Sequence, residues 1–283
     1  MVESLSRAAE ELVRAGSRGS LAWGGYKLAT HFQPIFGVGR GGCVGYEAFL
    51  RASGGDGALL EGDSLLAHVP PDQGLFLDWV CRALHLRNFS GIDPGDRILF
   101  LNVKPRAAVA DAREARAFAD LVRYYGVAPE RLCVEILGED CRDEGLLHEA
   151  VCAYREFGAM VAVDDYGVAR SNLDRVVALA PDIVKVDRAR LASAMGDARI
   201  RGFIPGLVGL LQQAGCKVAI DGVETAPQAL AAIEAGADFL QGNYFASPAV
   251  ALADESFSSR MFAELVRVRA PAPARGAVSL GNS

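Results

Sequence analysis

From residue 97 to residue 241 the chain alternates short apolar runs with helix-periodic segments, and this alternation constrains its fold more than any other feature. The runs are 97–103, 132–137, 160–163, 183–186, 217–220 and 238–241. Each is too short for a helix and reads as a buried strand. Between them, 114–125, 145–157, 171–179, 201–214 and 226–235 repeat their apolar residues at helical spacing, and 256–267 follows the last run in the same way. Strand and helix in strict alternation build a parallel sheet with helices outside it. Two further runs, 31–36 and 44–51, precede the series and bring the count to eight. Eight such units predict a closed (β/α)8 barrel. The first two runs are joined only by residues 37–43, too few for a right-handed crossover and suited to a hairpin. The expected fold is therefore α/β, a modified TIM (β/α)8 barrel with one antiparallel strand.

The flanks divide the rest. Residues 1–25 read as an N-terminal helix (3–15) and a linker (16–25), and 26–250 as the barrel domain. Residues 251–269 carry a C-terminal helix, and the Pro/Ala-rich tail 270–283 is expected to be disordered. Leu5, Ala8, Ala9, Leu12 and Val13 form an apolar stripe on the first helix. It must be covered by the chain's own barrel or by a second copy.

Charge and composition exclude several classes. A net charge of −6 argues against a partner held through polymeric nucleic-acid phosphates. No apolar run approaches the length of a membrane span. Glu3, Arg7, Glu10, Glu11 and Arg14 break up any signal-peptide core, which points to the cytoplasm. The six cysteines form no CxxC pair and read as buried thiols, and the four histidines show no HxH or HExxH spacing. A zinc site built from His and Cys is not expected.

Polar residues recur at the ends of the runs. Glu47 lies in the second, Asn102 near the end of the third and Glu135 near the end of the fourth. Asp164 and Asp165 follow the fifth. Lys185 sits in the sixth, Asp221 just after the seventh and Gln241 at the end of the eighth. In a barrel these ends converge on one mouth. Five converging carboxylates repel one another unless cations lie between them, and oxygen donors suit Mg²⁺, Mn²⁺ or Ca²⁺. The adjacent pair Asp164–Asp165 points to two metals a few Å apart, the arrangement of in-line displacement at phosphorus.

Gln33-Pro34-Ile35 followed by Gly45-Tyr46-Glu47-Ala48-Phe49-Leu50-Arg51 resembles the opening signature of the EAL-domain family, the cyclic-di-GMP phosphodiesterases. The resemblance continues through Leu101–Pro105, Val134-Glu135-Ile136, Val163–Gly167, Val184–Arg188, Asp221–Thr225 and Leu240-Gln241-Gly242, in the family's order. It implies metal-dependent hydrolysis of one phosphodiester of cyclic di-GMP to linear pGpG, in bacterial second-messenger signalling. It implies Mg²⁺ or Mn²⁺ held by Glu47, Asn102, Glu135, Asp164 and Asp165, with Lys185, Asp221 and Glu47 in the chemistry. It places Gln33, Arg51, Gln241 and Glu224 at the ligand, and leaves a homodimer or a protein partner open.

The chain also departs from the pattern. The signature reads Glu-Ala-Phe in place of Glu-Ala-Leu, an apolar exchange. Asp221 stands where a glutamate is expected, one methylene shorter. Gly138 stands where a loop-anchoring glutamate is expected, and Val168-Ala169-Arg170 replace the usual loop threonine and glycine. Lys104 follows the metal-ligand asparagine in place of a small polar residue. The ligand set favours an enzyme. The departures favour a binding module that senses cyclic di-GMP, or contacts a protein, without turnover.

Overall fold

The computed structural model describes residues 2–16, 19–55, 57–92, 95–103, 111–137, 144–166, 173–187, 198–250, 260 and 262–265. Eight strands close a barrel: β2 (Tyr26–Gly37), β3 (Gly42–Ser53), β5 (Ile98–Val103), β6 (Leu132–Leu137), β7 (Met160–Tyr166), β8 (Ile183–Val186), β9 (Lys217–Ile220) and β10 (Phe239–Gln241). Neighbours from β3 through β5 and round to β10 pair in parallel. The exception is β2, antiparallel to both β3 and β10, where it completes the ring. This is the expected modified barrel, with the hairpin where the short 37–43 connection required one. Two short strands extend the sheet outside the ring: β1 (Ser20–Trp23) on β2 and β4 (Leu59–Glu61) on β3.

β1 corrects the linker expectation for 16–25. Ser20–Trp23 pairs with residues 26–29 through a two-residue turn at Gly24 and Gly25, both at positive φ. Glycine occupies both central turn positions because left-handed backbone costs it least.

Helices surround the ring, among the described residues α1 (Val2–Ala15), α2 (Gly62–His68), α3 (Pro71–Gly91), α4 (Asp111–Tyr124), α5 (Glu144–Glu156), α6 (Leu173–Leu179), α7 (Ala198–Gln213) and α8 (Ala226–Glu234). The chain itself covers part of the α1 stripe, with Leu12 half-buried and Ala8 exposed. Ala9 and Val13 are fully buried where α1 packs on α3 and α4. The Arg87 guanidinium on α3 donates to the Val13 carbonyl at the end of α1, and to Ser20 O of β1 at 3.4 Å. A cation is well placed at the carbonyl end of a helix.

Of the C-terminal helix, Arg260 and residues 262–265 are described and helical, and Phe262 stacks on Phe36 at 5.2 Å. The tail lies outside the described residues. Cys43, Cys81, Cys133 and Cys216 are buried as expected, whereas Cys152 is exposed on α5. Among the described residues no helix is long and apolar enough to cross a membrane.

Candidate active site

The barrel interior is built in layers. Ile35, Phe100, Cys133, Ala162, Ile183 and Ala219 bury one another, with Phe239 packed against them. Side chains on a strand return to the same face every second residue. Two residues on from this layer the interior positions are Asn102, Glu135, Asp164, Lys185, Asp221 and Gln241. On β2, which runs the other way, the matching residue is Gln33, two before Ile35. On β3 the lower position is Gly45. A Cβ there would lie 2.4 Å from Ile98 O and 2.9 Å from the Phe100 ring, so glycine leaves the room that Phe100 fills. Two residues above it stands Glu47. An apolar layer thus carries a polar one directly above it, at the carboxyl ends of the parallel strands.

Within the polar layer Glu47 is the hub. Its Oε1 accepts from Asn102 Nδ2 at 2.7 Å. Its Oε2 accepts from Lys185 Nζ and from Gln241 Nε2, both at 2.8 Å. Lys185 Nζ also lies 2.9 Å from Glu135 Oε1 and 3.9 Å from Asp164 Oδ2. Burial opposes ionisation of Glu47, but the Lys185 charge and these donors hold its carboxyl below the usual range. Glu135 is fully buried, and burial pushes its carboxyl well up, helped by the neighbouring charges of Glu47 and Asp164. Burial opposes the charge on Lys185 as well, yet Asp164, Glu135, Glu47 and Asp221 together keep it protonated. Burial raises Asp221 to about 6, with Glu47 and Asp164 adding to the shift and Lys185 offsetting part of it. Its Oδ1 accepts from the backbone N–H of Gly222.

The donor chemistry fits a hard divalent cation. Glu47, Asn102, Glu135 and Asp164 offer only oxygen, and the buried Glu135 Oε2 has no hydrogen-bond partner among the described residues. Among those residues no three Asp, Glu, His or Cys side chains close on one point at ligand distance. The carboxylates Glu47 and Glu135 instead share the Lys185 ammonium.

A cavity of about 320 Å³ opens over this layer, bordered by Glu47, Arg51, Asn102, Asp164 and Asp221. Arg51 stands at its rim, its guanidinium 5.6 Å over the Phe49 ring and 3.5 Å from Glu61. Gln33, Glu135, Lys185 and Gln241 lie behind the wall and do not line it. Glu224 is exposed just before the capping box of α8 and does not border the cavity. Asp165 stands in β7 beside Asp164, with its side chain outside the described residues. Lys104, Gly138 and Val168–Arg170 lie outside them too.

One wall escaped the sequence reading. α3 presents Asp78, Arg82 and His85 to the same cavity, with Arg82 Nη2 2.5 Å from Asp78 Oδ2 and its guanidinium over Trp79 and Phe118. His85 Nδ1 lies 2.8 Å from Thr30 Oγ1, and burial drives its pKa down to about 3. The available signal was an Asp and an Arg four apart inside the largely apolar stretch 75–86.

The family model for the EAL domain matches residues 21–248. The EAL-domain containing protein YkuI of Bacillus subtilis (strain 168) is 27% identical over 226 residues, 78% of this chain and 55% of that protein. The probable cyclic di-GMP phosphodiesterase PdeB of Escherichia coli (strain K12) is 25% identical over 210 residues, 71% of this chain and 39% of that one. The chain thus spans about half the length, or less, of these relatives. The crystal structure of YkuI in complex with c-di-GMP and calcium matches with a TM-score of 0.76 at 24% identity, covering 85% of this chain and 60% of that one. At that identity the likeness is one of fold.

Proposed function

The chain belongs to the EAL-domain family, and from that premise we propose that it hydrolyses one phosphodiester of cyclic di-GMP to linear pGpG. The observation that carries this reading is the Glu47 hub, an oxygen-rich layer joined to a buried lysine beneath an open cavity. Glu47, Asn102, Glu135, Asp164 and Asp165 would hold Mg²⁺ or Mn²⁺ as a two-metal site. When bound, these ions would supply the positive charge that steadies an anionic phosphoryl transition state.

The chain's own groups account for the remaining work. Arg51 at the rim would bind a phosphate through its fork of donors. Lys185 donates to Glu47 and lies 2.9 Å from Glu135, and from behind the cavity wall its charge would orient the attacking water. Asp221 would accept that water's proton at its carboxylate. As the new P–O bond forms, the P–O3′ bond breaks, and the 3′ oxygen takes a proton from solvent.

A second reading is favoured by a specific observation. Asp221 is short and accepts from the Gly222 backbone N–H, and the Glu47 and Glu135 carboxyls share an ammonium. A domain in that state would bind cyclic di-GMP without cleaving it. Incubating the protein with cyclic di-GMP and Mn²⁺ and separating the nucleotides decides between the two. Linear pGpG from the wild type, and none from Glu47→Ala, is the expected result. Intact cyclic di-GMP together with measurable binding would leave the receptor.

A further inference from the structure

Two amides stand in series behind the wall of the cavity. Gln33 Nε2 lies 3.0 Å from the Ala246 carbonyl and 3.2 Å from Asn243 Oδ1. A carbonyl only accepts, so the Gln33 NH₂ must face it, and the Gln33 oxygen must face inward. There Oε1 accepts from Gln241 Nε2 at 3.0 Å. The same Gln241 nitrogen donates to Glu47 Oε2 at 2.8 Å, so both of its hydrogens are used. Gln241 Oε1 is left buried with no hydrogen-bond partner among the described residues. If Gln241 flipped, two amide oxygens would meet at Gln33 and Glu47 would lose a donor. A backbone carbonyl in the loop after β10 therefore sets the polarity of the whole chain of bonds. That loop is itself tied across β2, where Phe32 and Ala249 exchange backbone hydrogen bonds at 2.8 and 3.1 Å. Gln33 is buried, both ends of its amide are engaged inside the protein, and it does not line the cavity.

We infer that Gln33 is a positioning residue that fixes the direction of the Gln241 amide, and through it the donor to Glu47, and that it is not a contact of the nucleotide. The consequence for metal binding rests on the function proposed above; the relay itself does not. Groups that orient a metal ligand from behind typically change affinity by about 10–100-fold when removed.

Gln33→Met keeps the volume and removes the relay. In the metal-free protein, both side-chain N–H signals of Gln241 should be protected from exchange in the wild type and lose that protection in Gln33→Met. Equal protection in both proteins would overturn the relay. Asn243→Ala leaves the Ala246 carbonyl in place and should retain protection, which separates the relay from a general loss of structure if Gln33→Met folds poorly; lost protection in Asn243→Ala would overturn the polarity assigned to Ala246. With Mn²⁺ alone as the probe, followed by the electron paramagnetic resonance of the free ion, Gln33→Met should weaken uptake by about 10–100-fold. Gln33→Met with Gln241→Met should be no weaker than Gln241→Met alone. Unchanged Mn²⁺ affinity with weakened cyclic-di-GMP binding would make Gln33 a nucleotide contact. A wild type that takes up no Mn²⁺ would sink the proposed metal site, while the exchange measurement still decides the relay.

Discussion

A single methylene separates Asp221 from the glutamate its position calls for. Its carboxylate is drawn back onto the N–H of the next residue, Gly222. Misplacement on the scale of 1 Å can cost about 100-fold in rate, so Asp221→Glu should raise kcat by up to that factor. Turnover below wild type in steady-state assays would mean that Asp221 already fits its place and that the shorter side chain is no defect. His85 shows a different consequence of burial. Its pKa is near 3 in the folded chain against 6.5 for a free histidine. Between those values the unfolded chain binds a proton that the folded chain refuses, so stability is full above pH 6.5 and falls as pH drops toward 3. From pH 7 to pH 5 the loss from this one group is about 2 kcal/mol. Urea unfolding of His85→Gln, which keeps a donor for Thr30, should show a pH dependence weaker by about that amount. Equal slopes for the two proteins would place the acid sensitivity in other residues.

Elements were legible where their pattern was clean. Leu132–Leu137, Ile183–Val186 and Lys217–Ile220 have the bounds their apolar runs predict, because each is flanked by turn residues and 132–136, 183–186 and 218–220 are buried on both faces. The alternation of inward residues also exposed Glu47, Asn102, Glu135, Asp164, Lys185 and Asp221. α3 was missed for the opposite reason. Residues 77–86 are buried without a break, so the helix has no polar face and no period to read. Its charged pair Asp78–Arg82 was missed with it. β1 was hidden among glycines that serve a hairpin as readily as a linker. Gly242 carries a constraint that only the fold reveals: a Cβ there would fall 2.1 Å from the Val223 carbonyl, where the loops after β9 and β10 cross. α1 belongs to this scale too. Removing residues 1–16 would uncover the surfaces of α3 and α4 that bury Ala9 and Val13, and would take the Val13 acceptor from Arg87. Chemical denaturation should register a loss of at least about 2 kcal/mol. Light scattering should give the same number of chains per particle with and without the helix. A change in that number would show that α1 also works between copies.

Closure of the barrel makes the whole molecule the unit that binds. Glu47, Asn102, Glu135 and Asp164 lie on four strands and span more than a hundred residues of sequence, so the unfolded chain does not bring them together. A ligand that needs all four binds the folded state alone, and its binding energy appears as stability. Each of the four donors sits directly above a packed apolar layer, so opening any strand pair disturbs the mouth and the core together. Mn²⁺ at a hundred times its dissociation constant should therefore add about 2.7 kcal/mol to the stability of the fold. For a chain of this size that corresponds to a rise of about 5–10 °C in Tm. Glu47→Ala should lose most of the rise, because it removes the residue to which Asn102, Lys185 and Gln241 all donate. Cyclic di-GMP added with the metal should raise Tm further in the wild type, whether or not the ring is then opened. Calorimetry that found the same Tm with and without Mn²⁺ would mean that Lys185 alone neutralises the polar layer, and the mouth would then be a nucleotide-binding surface without a metal.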